Sequence, residues 1–413
     1  MRGTVHRGYG RFRCCVVGTC CDARRREEED DETVSDTKVN SGRVMMNDFR
    51  RQWAEIGADI LRATERVGES GWYILGDEVK AFEANLANTI GRKHVIGCAS
   101  GLDAIEIGLR ALGIKTGDRV LTTALSAFAT TLAIIRAGGI PVFADVDVYG
   151  LIDLDRCRRV LERDSSIRFL VPVHLYGHAL DLNQLLEIKR RFEIGVIEDA
   201  CQAIGASSGE IPVGSVGDAS ALSFYPTKNL GALGDAGAIV TDAPEVDAMS
   251  RTLRDYGQSA KYQHSVLGLN SRLDELHAAL LNTALLPRLA HWTERRRAIA
   301  QSYVERIDNR AVRVLGAPKG SKSVWHLFPV LVAAEARKHF LAHMDAAANG
   351  AAIHYPEAIS RQSALSSVAF ECSDPLTQTE RFCQTEVTLP NHPHMADADV
   401  DRVVDAVNRW KEP

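Results

Sequence analysis

The chain has no apolar run that approaches the roughly 18 to 20 residues needed for a membrane-spanning helix. Its formal net charge of -5 over 413 residues is too small to mark a general nucleic-acid binder and gives no sign of a membrane-surface role. No glycine turn in the G-x-G-x-x-G order follows its first strand, which excludes a dinucleotide fingerprint. Cysteines at CxxC spacing are missing too. The adjacent pairs Cys14-Cys15 and Cys20-Cys21 do not match zinc sites, and Cys98, Cys157, Cys201, Cys372 and Cys383 are scattered like buried thiols of a reducing compartment rather than a disulfide framework. His339 and His343 have helical metal-ligand spacing, but no third ligand stands near them, so solvated histidines and no metal site are expected. No internal repeat or coiled-coil heptad is present. What remains is a composition ordinary for a soluble protein of the cytoplasm, 45% hydrophobic and 25% charged.

At this length two domains are expected. Residues 1–45 stand apart: Arg24 to Arg26 precede an acidic run from Glu27 to Glu32, with no sustained hydrophobic periodicity. They are expected to be disordered, or to precede a true start at Met45 or Met46. From about residue 77, amphipathic segments such as Val79, Phe82, Leu86, Ile90 and Leu102, Ile105, Leu109, Leu112 repeat at helical spacing. Strand-like runs at Arg119 to Thr122, Ile140 to Ala144, Phe169 to Val173, Val196 to Ile197 and Ala238 to Thr241 lie between or after such segments. Helices at Thr130 to Ala137, Leu154 to Leu161 and Leu182 to Phe192 separate several of these runs. This predicts an α/β fold with a mostly parallel sheet in a large domain over 46–289, its ligand beyond the carboxyl ends of the strands. Another helix is expected from near Ser271 through Leu281. A helix around Glu294 to Ile307 and strand-like pieces around Leu327 to Val332 then suggest a smaller α/β domain over 290–413.

Three segments carry chemistry. In Ser223-Phe-Tyr-Pro-Thr-Lys228-Asn-Leu-Gly231-Ala-Leu-Gly234-Asp-Ala-Gly237, Pro226 breaks an apolar run and a lysine sits in a glycine-dense loop. Most lysines are solvated surface groups, but glycines admit a bulky planar ligand to the backbone, and a desolvated lysine becomes an amine nucleophile toward a carbonyl cofactor. In Val196-Ile-Glu-Asp199-Ala-Cys-Gln202, an aspartate follows a short buried strand. Such a carboxylate either caps a helix at 200–204 or meets a buried cation such as a protonated pyridine nitrogen. In Ala99-Ser100-Gly101-Leu102-Asp103-Ala104, a helix start offers backbone N–H groups that serve as an ordinary cap or as a phosphate cradle. Together the three make complementary parts of one cofactor site.

With Val171-Pro-Val-His-Leu-Tyr-Gly177, Gly268-Leu-Asn270-Ser-Arg272-Leu-Asp274, Ile353-His354-Tyr355-Pro356 and Leu389-Pro390, the chain from about residue 50 onward resembles the DegT-type sugar aminotransferases. The resemblance implies a fold-type-I, aspartate-aminotransferase-like three-layer fold and pyridoxal 5'-phosphate as cofactor. It implies that Lys228 forms the internal aldimine, Asp199 pairs with the pyridinium nitrogen and Gln202 lies near the phenolic oxygen. Ser100, Ser223 and the Gly101 and Leu102 backbone are then the phosphate site. Asn270 reaches the phosphate of a neighbouring subunit, which implies a homodimer with shared sites, and Arg272 and Asp274 brace that segment. His326, His354 and Tyr355 are the substrate-side candidates. The chain departs from the family pattern in three places. Leu102 replaces a common Thr, and His277 a common Gln. Where relatives stack an aromatic on the cofactor, Ala127 stands, with Phe128 one residue on as the candidate ring.

The reaction implied is a two-step exchange in which L-glutamate gives its amino group to the cofactor and the keto group of a nucleotide-linked deoxysugar takes it. Related sugar dehydratases carry histidine at the Lys228 position, which counts against dehydration. A keto-cyclitol acceptor and a non-catalytic cofactor-binding regulatory or structural protein are the rival readings.

Overall fold

The computed structural model describes residues 42–413, so the cysteine pairs and charge runs near the N-terminus lie outside the described residues. The central sheet has eight strands. Seven come from the first part of the chain: β1 (His94–Cys98), β2 (Arg119–Thr123), β3 (Ile140–Ala144), β4 (Ile167–Leu170), β5 (Gly195–Asp199), β6 (Ala219–Ser223) and β7 (Gly237–Thr241). Two further strands, β8 (Arg313–Val314) and β9 (Phe328–Leu331), belong to a second sheet; β10 (Glu371–Cys372) returns to the first, and β11 (Glu386–Leu389) joins the second. The large sheet runs β1-β7-β6-β5-β4-β2-β3-β10, parallel from β6 to β10, with β7 alone reversed and antiparallel to both β1 and β6.

The period-two alternation of these strands builds three layers. Val95, Leu222 and Val240 face a cluster with Ile60, Phe82, Leu86 and Leu281 from helices on one side. Their neighbours Ile96, Ala221 and Ile239 face the other side, against Ile105 and Ile107 of the helix Gly101–Ala111 and Leu253 of the helix Pro244–Arg254. The mostly parallel α/β sheet read from the sequence is therefore the observed one. A separate core packs β9 and β11 against the helices Leu289–Arg306, Arg337–Ala346 and Asp397–Arg409 around Tyr303, Phe328, Phe340 and Trp410.

Some expected boundaries move. β1 and β6 were not legible, because Ala219-Ser-Ala-Leu-Ser223 is small and half polar yet buried. β4 stops at Leu170, two residues ahead of Pro172, which has no N–H to give a ladder. The expected helix from Ser271 begins only at Glu275, where the Asp274 carboxylate caps His277 N–H at 2.8 Å. Arg272 pairs with Asp255 at 2.9 Å and lies over the Tyr256 ring, so the segment is braced. Cys372 is exposed on β10 rather than buried. His343 is half-buried and hydrogen-bonds the Ala406 carbonyl at 2.8 Å, while His339 is exposed and accepts the Trp410 indole N–H at 3.0 Å. Among the described residues no helix is long and apolar enough to cross a membrane.

Candidate active site

The carboxyl ends of β2, β5 and β6 converge on one cavity of about 240 Å³. Asp199 ends β5 and is only 5% exposed. Its Oδ2 accepts the Thr130 hydroxyl at 2.7 Å, and its Oδ1 accepts the Cys201 N–H at 3.1 Å. Residues 200–204 form turns and no helix, so Asp199 caps none. Neither oxygen bonds a cation among the described residues. A buried carboxylate in that state costs several kcal/mol, which makes it a site for a positive group.

Lys228 lines the same cavity from the loop after β6. The loop is closed by Lys228 N–H to the Tyr225 carbonyl at 2.8 Å and Ala232 N–H to the Phe224 carbonyl at 2.7 Å. Gly231 is required there, because a Cβ on it would stand 2.3 Å from the Pro226 oxygen. Desolvation lowers the Lys228 pKa, with the Cys201 and Asp199 charges working the other way. The loop thus delivers an amine that sheds its proton more readily than a solvated one.

The third wall is the start of the helix Gly101–Ala111. Ser100 caps it, its hydroxyl accepting Asp103 N–H at 3.1 Å. A Cβ on Gly101 would meet the Cys201 sulfur at 2.6 Å and Ser223 Cβ at 2.8 Å, so only glycine lets this turn lie against β6. The first N–H groups of a helix have no intrahelical acceptor, and Gly101 and Leu102, which carry them here, line the cavity together with Ser223. Gln202, 7% exposed, accepts Tyr176 N–H at 2.7 Å and donates to the Tyr355 hydroxyl at 3.3 Å.

The structure therefore gathers Lys228, Asp199, Gln202, Ser223, Ser100, Gly101 and Leu102 around one cavity. Phe128 is a correction. Ala127 and Ala129 line the cavity, while Phe128 opens its helix and turns away to pack with Ala124, Phe143 and Ile359. No stacking ring comes from that position. Asn270 is exposed and pairs through its backbone with Asp255, away from its own chain's cavity. Of the substrate-side candidates, only Tyr355 touches the gathered set, through Gln202. His326 is buried against Asn229 at 3.2 Å, and His354 bonds Thr388 at 2.9 Å. Burial and then the Lys228 charge push His354 down to about 4, and the same causes, with Arg296 and His354 added, hold His326 well below its usual value. The sequence reading missed Ser126, on the loop after β2, and Thr130, in the first turn of the helix Phe128–Arg136 that follows it, although an α/β sheet places its ligand contacts beyond such strand ends.

A desolvated amine across a cavity from a cation-seeking carboxylate, with a helix-terminal anion cradle between them, is the arrangement of a pyridoxal-phosphate-dependent aminotransferase. The chain belongs to the DegT/DnrJ/EryC1/StrS aminotransferase family, matched over residues 54–408. It is 41% identical over 366 residues to the dTDP-3-amino-3,6-dideoxy-alpha-D-galactopyranose transaminase of Aneurinibacillus thermoaerophilus, covering 88% of this chain and 98% of that one. The crystal structure of Streptomyces venezuelae DesV in complex with a ketimine intermediate superposes with a TM-score of 0.85 at 36% identity, over 89% of this chain and 98% of that chain. NtdA from Bacillus subtilis, solved with bound cofactor PMP, superposes with a TM-score of 0.77 at 30% identity, over 85% and 80% of the two chains.

Proposed function

We propose that this aminotransferase holds pyridoxal 5'-phosphate on Lys228 and moves an amino group from L-glutamate to the 3- or 4-keto group of a nucleotide-linked deoxysugar. The observation that carries the cofactor assignment is the buried Asp199 carboxylate, fixed by Thr130 and Cys201 yet left without a cation. The names of the relatives carry the sugar.

When bound, the cofactor supplies an electron-withdrawing ring that makes the donor's α-proton removable. Asp199 would hold the ring at its nitrogen and keep that nitrogen protonated, and Gln202 would hold it at the phenolic oxygen. Ser100, Ser223 and the Gly101 and Leu102 N–H groups would hold the phosphate. Lys228 Nζ takes the proton from the donor's α-carbon as general base and returns one as general acid. Tyr355 would meet the acceptor, a reading supported by its contact with Gln202 at 3.3 Å, with His326 and His354 as further candidates. Asn270 serves the phosphate site of a second copy, a reading supported by its exposure on a segment that also presents Tyr262 and Leu267, 81% and 90% exposed.

The purified protein should show the visible absorption band of a lysine-bound cofactor, and L-glutamate should bleach it. Lys228→Ala should lose both the band and roughly a thousandfold or more of the rate. An unchanged band would sink the assignment of Lys228. Mass spectrometry and NMR of products from a panel of nucleotide-linked 3- and 4-keto sugars then read the acceptor; amination of a keto-cyclitol alone would overturn the sugar reading.

A further inference from the structure

Glu386 and Thr388 stand two residues apart on β11 and so share one face of the strand, while Val387 and Leu389 enter the second core. Both are fully buried. A bridge between Thr388 and Ala352 lays the segment that carries His354 along this strand. Two residues on, the His354 N–H donates to Glu386 Oε2 at 2.7 Å. Thr388 Oγ1 lies 2.5 Å from Glu386 Oε1 and 2.9 Å from His354 Nδ1, which joins the carboxyl to the ring through one hydroxyl. The opposite ring nitrogen, Nε2, bonds no described residue. The Tyr176 hydroxyl, donating to the His354 carbonyl at 2.7 Å, holds the backbone here. Tyr355, next in the chain, takes a bond from Gln202 of the cavity that Asp199 and Lys228 line.

A hydroxyl has one hydrogen, so Thr388 donates to only one of its two neighbours. With Glu386 neutral, the acid proton sits on Oε1, because Oε2 already accepts the His354 N–H. That proton goes to Thr388 Oγ1, the Thr388 hydrogen turns to His354 Nδ1, and the ring proton is left on Nε2. With Glu386 ionised the chain reverses: Nδ1–H donates to Thr388, Thr388 donates to the carboxylate, and Nε2 is a bare lone pair. A keto oxygen accepts and cannot donate, so only the first state can bond one. We infer that Glu386 is a positioning residue which, through Thr388, keeps a His354 Nε2–H donor for the keto acceptor, an inference that rests on the reading of His354 as an acceptor-side group. Burial favours the neutral acid and pushes Glu386 up to about 8, against the pull of the Thr388 hydroxyl, the His354 N–H and the Arg337 charge. Arg337 makes no ion pair with it among the described residues, its Nη1 being bonded to the Cys383 carbonyl. The other titratable groups that face Glu386 are Tyr176, Tyr355 and Cys383. Burial holds all three above their usual values, so they are neutral where Glu386 titrates. The His354 ring, held down to about 4, is neutral there too.

Nitrogen NMR of the cofactor-loaded enzyme with labelled histidine reads the tautomer, the His354 signals being assigned by their loss in His354→Asn. In the wild type the ring proton should move from Nε2 to Nδ1 as pH climbs through about 8. Glu386→Gln mimics the neutral acid, its amide donating to Thr388 and its carbonyl accepting the His354 N–H. It should hold Nε2–H from about pH 6.5 to about pH 9.5. Thr388→Val cuts the link and should abolish the crossover. In turnover, KM for the keto acceptor should rise roughly fivefold to tenfold from about pH 7 to about pH 9 in the wild type relative to Glu386→Gln, a ratio that cancels titrations common to both. A wild-type tautomer that does not change with pH, or an equal crossover in Glu386→Gln, would overturn the inference. If Glu386→Gln does not fold, the wild-type titration decides. A crossover without any change in the KM ratio refutes the acceptor-side reading of His354 and keeps the relay, because the tautomer readout contains no sugar.

Discussion

Glu198 and Asp199 are neighbours on β5, both carboxylates and both buried, and the fold treats them oppositely. Glu198 is saturated: its oxygens accept N–H groups from Gly214, Val216 and Gly217 at 2.8, 2.8 and 2.7 Å, and His174 Nε2 lies at 2.9 Å. Asp199, one residue on and pointing to the other face, receives two donors and is left facing a cavity. Burial alone does not mark a functional carboxylate. What marks it is a charge whose environment is organised but incomplete. Glu198 ties the loop at 214–217 and the His174 segment to the strand that aims Asp199, so one carboxylate makes the scaffold that presents the other.

The contrast can be broken from either side. Asp199→Ala should cost the largest effect, roughly a hundredfold to a thousandfold in kcat/KM, with thermal stability held or raised because an uncompensated buried charge is removed. A kcat/KM within a fewfold of wild type would contradict the pyridinium role. Glu198→Gln should act the other way and cost about 3 kcal/mol of unfolding free energy, since its amide cannot accept from all four donors. Burial works to raise the Glu198 pKa, but the His174 contact and the backbone N–H groups outweigh it and hold the group below 4.5. A carboxylate with a depressed native pKa adds stability above its unfolded value and loses it as pH falls through the native one. Wild-type Tm should therefore drop through the acid range below about pH 4.5, and Glu198→Gln should flatten that slope. The smallest effect belongs to His277, whose pKa is raised, first by its hydrogen bond to Asp274. Its contribution is complete below 6.5 and fades as pH climbs through the raised value. His277→Gln should cost about 0.5 kcal/mol at pH 6 and nothing measurable at pH 9, because the pair is partly solvated.

Much of the candidate site was legible because it is local. Lys228 with its glycine loop, Asp199 at a strand end and Ser100-Gly101 at a helix start each declare themselves within a few residues, where turn geometry and capping follow side-chain type. Phe128 shows the limit. Its neighbour Ala127 reaches the cavity, and one position along a helix start turns a side chain by about 100°, which no local pattern resolves without the packing around Phe143. Thr130 reads as the start of a helix, yet its contact with Asp199 exists only because β2 and β5 are brought together around β4.

By itself the sequence determined the α/β alternation, the lysine in its glycine loop, the aspartate at a buried strand end and the capped helix start, since hydrophobic period and turn chemistry act over short range. The tertiary structure decided which polar groups are completed and which are left open. Tyr355 reaches Gln202, and the buried Nε of Arg296 is left without a partner among the described residues. Those outcomes depend on desolvation and hydrogen-bond partners supplied by segments far apart in the chain, and they are fixed only when the sheet and the second core are assembled.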